Sequence, residues 1–146
     1  MAELKVVFWS GTGNTEAMAD YVVKGAEAAG VQAQAVAMED ISAADLSAEA
    51  VFALGSPSMG DEELEDTIVE PFVTELEGSV SGKTIGLFGS YGWGDGEWMR
   101  NWVERMKKAG ANVVGDEGVI CNDAPDDAAG EALRALGEKL AGLLNN

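Results

Sequence analysis

The run Leu4-Lys5-Val6-Val7-Phe8 is short and mostly apolar, and after a glycine-rich interval Ala19, Val22, Val23 and Ala26 recur at i, i+3, i+4 and i+7. The first pattern predicts a strand and the second an amphipathic helix, which Gly30 stops. Val31 to Met38 alternates small apolar with polar residues, the mark of a strand with one more exposed face, at a sheet edge. Glu39 to Glu49 is an irregular or weakly helical connection, and Ala50 to Gly55, apolar on both faces, reads as a buried strand. Leu64, Ile68, Phe72 and Leu76 then fall at i+4 intervals, but Pro71 interrupts them, so a break or a late helix start is expected there. Thr84 to Gly89 forms a fourth strand. The next helix carries Met99, Trp102, Val103 and Met106 on its core face, leaves Trp98 on the surface and ends at Gly110. Ala111 to Val114 and Gly118 to Cys121 form a fifth strand interrupted by Gly115-Asp116-Glu117. A helix from Asp126 through Leu133, Leu136, Leu140 and Leu144 closes the chain.

Strands alternating with helices call for a parallel, doubly wound α/β sheet with helices on both faces, since parallel strands need crossovers that cover them. At 146 residues the chain suits one domain, residues 1–146. In such sheets ligands bind beyond the carboxyl ends of the strands, where the strand order reverses. Three loops stand at those ends: Ser10 to Thr15, Ser56 to Glu62 and Ser90 to Gly96. They are expected to meet at one site.

Composition narrows the chemistry available to that site. There is no histidine, which removes the usual general base and the commonest transition-metal ligand, and a lone cysteine, Cys121, allows neither an internal disulfide nor a cysteine cluster. No catalytic residue and no metal site are expected. Nine basic residues against 26 acidic ones give a formal net charge of -17, which repels nucleic acid and anionic membranes. The carboxylates cluster at Asp61, Glu62, Glu63, Glu65, Asp66 and Glu70, where they would steer a basic partner protein. With no signal-like N-terminus and no membrane-length apolar run, a soluble, cytoplasmic monomer is expected.

The first loop, Ser10-Gly11-Thr12-Gly13-Asn14-Thr15, offers hydroxyls, one amide and a run of backbone N–H groups at a helix start, but no cation. A helix N-terminus acts as roughly half a positive charge with unpaired donors, so a phosphate can sit there unaided. Neither competing phosphate motif fits. Gly82-Lys83-Thr84 lacks the glycine a Walker loop needs five positions earlier, and a dinucleotide fingerprint begun at Gly11 meets Glu16 where a small residue must pack. One terminal phosphate remains. In the third loop, Ser90-Tyr91-Gly92-Trp93-Gly94-Asp95-Gly96, two aromatics among glycines suggest a planar ligand stacked on a ring. The second loop, Ser56-Pro57-Ser58-Met59-Gly60-Asp61-Glu62, adds a thioether for the opposite face, a glycine free to take positive φ, and two carboxylates. Trp9 is expected to pack beside the site.

Together S-G-T-G-N-T, M-G-D-E and G-S-Y-G-W-G-D-G resemble the phosphate and flavin loops of short-chain, clostridial-like flavodoxins, and the resemblance runs over essentially the whole chain. It implies a flavodoxin-like five-stranded sheet of order 2-1-3-4-5, non-covalently bound FMN, and one-electron transfer between redox proteins. Ser10, Thr12, Asn14 and Thr15, with the amides of Gly11 and Gly13, would hold the phosphate. Met59 would cover one face of the isoalloxazine and Trp93 the other, with Glu62 accepting the flavin N3–H. Backbone groups of Ser90, Tyr91, Gly92, Trp93 and Gly94 would bond the pyrimidine end or ribityl chain, and Asn122 is a further contact candidate. The Gly60-Asp61 peptide would be the family's redox switch, its carbonyl turning to accept the N5–H that one-electron reduction brings. Uncompensated acid around the flavin would make a strong reductant. The implied partners are a reductase donor and a low-potential acceptor enzyme with basic patches, docking near the flavin edge. The other functional reading is an FMN-dependent NAD(P)H or quinone oxidoreductase on the same fold. A receiver module is disfavoured because Gly55-Ser56, not Asp, ends the third strand.

Overall fold

The computed structural model describes residues 3–144. In chain order its elements are β1 (Glu3–Phe8), α1 (Asn14–Ala28), β2 (Gln32–Ala37), α2 (Ala43–Leu46), β3 (Val51–Gly55), α3 (Val69–Leu76), β4 (Thr84–Tyr91), α4 (Glu97–Lys108), β5 (Asn112–Val113), β6 (Val119–Asn122) and α5 (Asp127–Leu144). The sheet is parallel throughout, in the order β2-β1-β3-β4-β5, with β6 also on β4.

The interrupted fifth strand is thus two strands. Asn112 and Val113 pair with Thr84 and Ile85, and Val119 to Asn122 pair with Phe88 to Tyr91. Between them the chain turns out through Gly115 and Asp116, both at positive φ. The second half carries β4 two residues past its expected end, because Ser90 and Tyr91 stand opposite Cys121 and Asn122. Their side chains are therefore placed by the sheet and not by a flexible loop.

Alternation along the strands divides the core into two layers. Val7, Phe52, Leu54, Ile85 and Leu87 face Phe72 and Leu76 of α3 and Trp102 and Met106 of α4. Val6, Phe8, Ala53 and Phe88 face Met18 and Val22 of α1 and Leu133 and Leu140 of α5. Strand β3 is buried along its whole length, whereas Gln32 and Gln34 of the edge strand β2 reach solvent. Helix α3 starts late, at Val69, leaving Pro71 in its first turn, where a missing N–H costs no intrahelical bond. Leu64 and Ile68 precede the helix and lean on the core as partly buried side chains.

Trp98 is buried, at 1% exposure, and not on the surface. Its Nε1–H donates to the carbonyl of Ser56 at 3.3 Å. The space it fills exists because β4 has Gly89 there: a Cβ would lie 3.0 Å from the indole and 2.0 Å from the Ser56 oxygen. Arg105 fastens α4 to α3, donating from both Nη atoms to the Glu70 carboxylate at 2.8 and 2.6 Å, and from Nε to Glu77 at 2.8 Å. The guanidinium holds the Glu70 carboxyl below its ordinary range, chiefly through those hydrogen bonds.

Cys121 is buried, its Sγ 3.6 Å from the sulfur of Met18. Burial, with Asp126 and Asp123 nearby, pushes its thiol up to about 11. The thiolate is the reactive form. At pH 8 the folded protein is expected to react with a thiol reagent at least about tenfold more slowly than urea-unfolded protein; equal rates would show the thiol exposed.

Candidate functional site

At the carboxyl ends of β1, β3 and β4 a cavity of ≈ 340 Å³ opens among the three loops. Gly11, Thr12 and Asn14 line it from the first loop, Pro57, Ser58 and Met59 from the second, and Ser90, Tyr91 and Gly92 from the third, with Asp123 beyond β6. A second cavity of ≈ 250 Å³ lies on the other side of Met59, lined by Trp9, Gly60, Glu63, Leu64, Glu65 and Asp66. Trp9 is thus beside the site, and its ring also packs close to where a Cβ on Gly11 would be.

The first loop ends at Gly13, whose φ of 97° turns the chain into α1 and whose surroundings are open. Its N–H donates to Ser10 Oγ at 3.0 Å. Among the described residues no side chain caps α1, so neither Asn14 nor Thr15 serves as its cap. The first turn keeps the unpaired N–H groups that a helix start presents to an anion. Thr15 is buried, at 1% exposure, its hydroxyl 3.3 Å from Ser90 Oγ. That contact sits beneath the cavity and ties the first loop to β4. Ser56 is likewise below the lining, its hydroxyl donating to the Pro57 carbonyl at 3.1 Å.

In the second loop Met59 and Glu63 exchange two backbone hydrogen bonds, each 2.8 Å, closing a tight turn over Gly60, Asp61 and Glu62. Gly60 and Glu62 both have positive φ, 55° and 56°. Met59 is 40% exposed and Trp93, on the third loop, 61%. Met59 lines both cavities and Trp93 follows the cavity-lining Gly92, and exposed apolar groups of that size mark a contact surface for something not polar. Tyr91 is half-buried with its ring tilted on Trp98, centroids 5.6 Å apart.

The structure therefore gathers Gly11, Thr12, Asn14, Pro57, Ser58, Met59, Ser90, Tyr91 and Gly92 around one space. It sets Gly60, Asp61, Glu62, Trp93 and Gly94 on the adjoining loop tips. The Asn122 amide donates to the Tyr91 carbonyl at 3.3 Å, and Asn122 lines an adjoining groove that shares Tyr91 with the cavity. Its neighbour Asp123, at φ 57°, also lines the cavity. A short polar residue just past a strand, able to adopt the left-handed region, was the available signal.

A parallel doubly wound sheet with an uncapped helix start, hydroxyl and amide donors and exposed apolar side chains at its switch point defines a mononucleotide-binding protein. A sequence model described as Flavodoxin matches residues 6–135. The chain is 48% identical to a flavodoxin of Megasphaera elsdenii over 138 residues, covering 94% of this chain and 98% of that one. It is 42% identical to a flavodoxin of Clostridium beijerinckii over 140 residues, covering 96% and 100%. The solution structure of the two-electron reduced Megasphaera elsdenii protein superposes with a TM-score of 0.87 at 47% identity, covering 95% and 98%. The chain belongs to the flavodoxin family. It is an FMN-binding electron-transfer protein. The residues present suit that cofactor: neutral donors and a bare helix start for a single phosphate, a cavity beside them, and Met59 and Trp93 free for a planar ring.

Proposed function

We propose that the chain is a single-domain, low-potential, non-enzymatic electron carrier of the cytoplasm, acting as a monomer between a reductase donor and a low-potential acceptor enzyme. The observation that carries this reading is the meeting of three loops on one cavity beside an uncapped helix start. FMN, when bound, supplies one-electron chemistry. Ser10, Thr12 and Asn14, with the amides of Gly11, Gly13 and the first turn of α1, hold its phosphate through hydrogen bonds that need no cation. Thr15 supports that loop from beneath through Ser90. Met59 and Trp93 shield the ring from water on its two faces, and Ser90 to Gly94 orient it. Gly60 is left-handed with nothing within 4 Å of a Cβ, so its peptide with Asp61 is free to turn.

Glu63, Glu65 and Asp66 line one cavity and Asp123 the other, with no basic residue among the described lining of either. They disfavour added negative charge there, and about 1.4 kcal/mol of such disfavour lowers a one-electron potential by ~59 mV. The same carboxylates attract a basic partner from a distance, with a strength that salt reduces.

The test is spectroscopic. The purified protein, or the protein incubated with FMN, is expected to be yellow, to take up electrons in two resolved steps during reductive titration, and not to sustain NAD(P)H oxidation alone. A protein that stays colourless with FMN sinks the site assignment, and steady turnover with NAD(P)H alone would favour an oxidoreductase.

A further inference from the structure

Glu62 is held in a backbone conformation that a non-glycine residue keeps only where its surroundings enforce it, with φ at 56°. Its side chain shows what enforces it. Oε1 accepts the backbone N–H groups of Gly96 at 3.1 Å and Glu97 at 3.0 Å, the first donors of α4. Gly96, the residue at the cap position, has no side chain to do this. The cap comes from 34 positions earlier in the chain, and as a carboxylate it also complements the positive end of the helix.

The third loop is shaped to admit this carboxylate. A Cβ on Gly94, at φ 88°, would lie 2.4 Å from the Glu62 carboxyl carbon and 2.6 and 2.7 Å from its oxygens. On the other side Arg100 donates to the Asp95 carboxylate at 2.9 Å and to the Asp95 carbonyl at 3.0 Å, so the loop tip is pinned twice. Trp93 precedes both fasteners in this loop and is too exposed for its own packing to fix it.

We propose that Glu62, besides the flavin contact the family resemblance implies for it, acts as a positioning residue: its carboxylate, through Oε1, locks the Met59–Glu63 turn to the N-terminus of α4, so that the turn bearing Met59 and the loop bearing Trp93 hold one fixed spacing. Only the consequence, a gap of set width for the flavin ring, rests on the functional reading above; the lock itself does not.

Amide hydrogen exchange on the protein as purified tests this, with bound flavin measured by absorbance in the same sample. In Glu62→Ala and Glu62→Asp the Gly96 and Glu97 amides are expected to exchange about tenfold faster or more, while those of Ile85 and Leu87 in β4 keep their protection. Glu62→Gln retains an accepting oxygen at the same reach and is expected to restore most of the protection. Unchanged Gly96 and Glu97 amides in Glu62→Ala overturn the lock, as does a Gln variant as unprotected as the Ala variant. Absence of flavin from the native protein would strike the functional reading and leave these amide results standing; where a variant alone loses flavin, its exchange is compared with that of the native protein stripped of flavin, and equal rates there overturn the lock.

Discussion

Alanine at Gly25 or at Gly137 is expected to lower stability by about 3 kcal/mol, seen as a fall in the urea midpoint at unchanged slope. Helices α1 and α5 cross on one face of the sheet with their backbones almost touching. A Cβ on Gly25 would lie 2.0 Å from the carbonyl oxygen of Arg134, and one on Gly137 would lie 2.0 Å from that of Val22. Both obstacles are main-chain atoms, which no rotamer change can move. The helices would have to separate, loosening Met18, Val22, Leu133 and Leu140 in the layer between them. One separation relieves both clashes, so the double substitution is expected to cost clearly less than the sum of the two. Gly142→Ala in the same helix is the control: nothing lies within 4 Å, and replacing a helical glycine is expected to gain up to about 1 kcal/mol. Because α1 begins at the phosphate loop, FMN is also expected to bind less tightly to the Gly25 and Gly137 variants. A Gly25→Ala protein as stable as Gly142→Ala would mean that the two helices do not approach this closely.

Much of this architecture is legible in the sequence because it is written in local patterns. The alternation of Val31 to Met38 identifies an edge strand, and β2 is at the edge. Pro71 forces a late start on α3, which begins two residues before it. The three loops converge because parallel strands put their carboxyl ends on the same side of the sheet. What escapes is decided between segments far apart in the chain. Trp98 stands four residues before Trp102 and shares its side of α4, but whether that side stays covered beyond Trp102 depends on Gly89 making room and on the Ser56 carbonyl accepting its N–H. Ser90 and Tyr91 look like loop residues until Cys121 and Asn122 pair with them. Glu62 looks like one carboxylate in an acidic cluster, and only the fold brings it to a helix start 34 positions later. The acidic run from Asp61 to Glu70 thus hides three different roles: Glu62 caps α4, Glu65 caps α3, and Glu70 grips Arg105.

Of these, Glu65 carries the second large effect. It is 7% exposed, and its carboxylate accepts the N–H groups of Thr67 at 2.9 Å, Ile68 at 2.6 Å and Val69 at 3.1 Å, as well as the Thr67 hydroxyl. Glu65→Ala leaves these donors at the start of α3 without an acceptor and is expected to cost about 2–3 kcal/mol. Glu65 also lines the cavity behind Met59, so weaker retention of FMN is expected to accompany the loss. Burial pushes the Glu65 carboxyl up, but the hydrogen bonds from Thr67, Ile68 and Val69 outweigh it, and the group ends below its ordinary value of 4.5. The sign follows from linkage. A carboxyl whose folded value is depressed adds stability that is complete above the unfolded value and is lost as pH falls through the folded one. Urea titrations at pH 7 are therefore expected to show the full gap between the native protein and Glu65→Gln, with the gap narrowing at pH values below 4.5. Glu70 is also depressed, through Arg105, and is untouched by this substitution, so both proteins keep some acid sensitivity and only the difference between them reports on Glu65. A gap that stays constant from pH 7 into the acid range would show that the Glu65 cap does not depend on its charge, and the loop in front of α3 would then be held by its neutral hydrogen bonds alone.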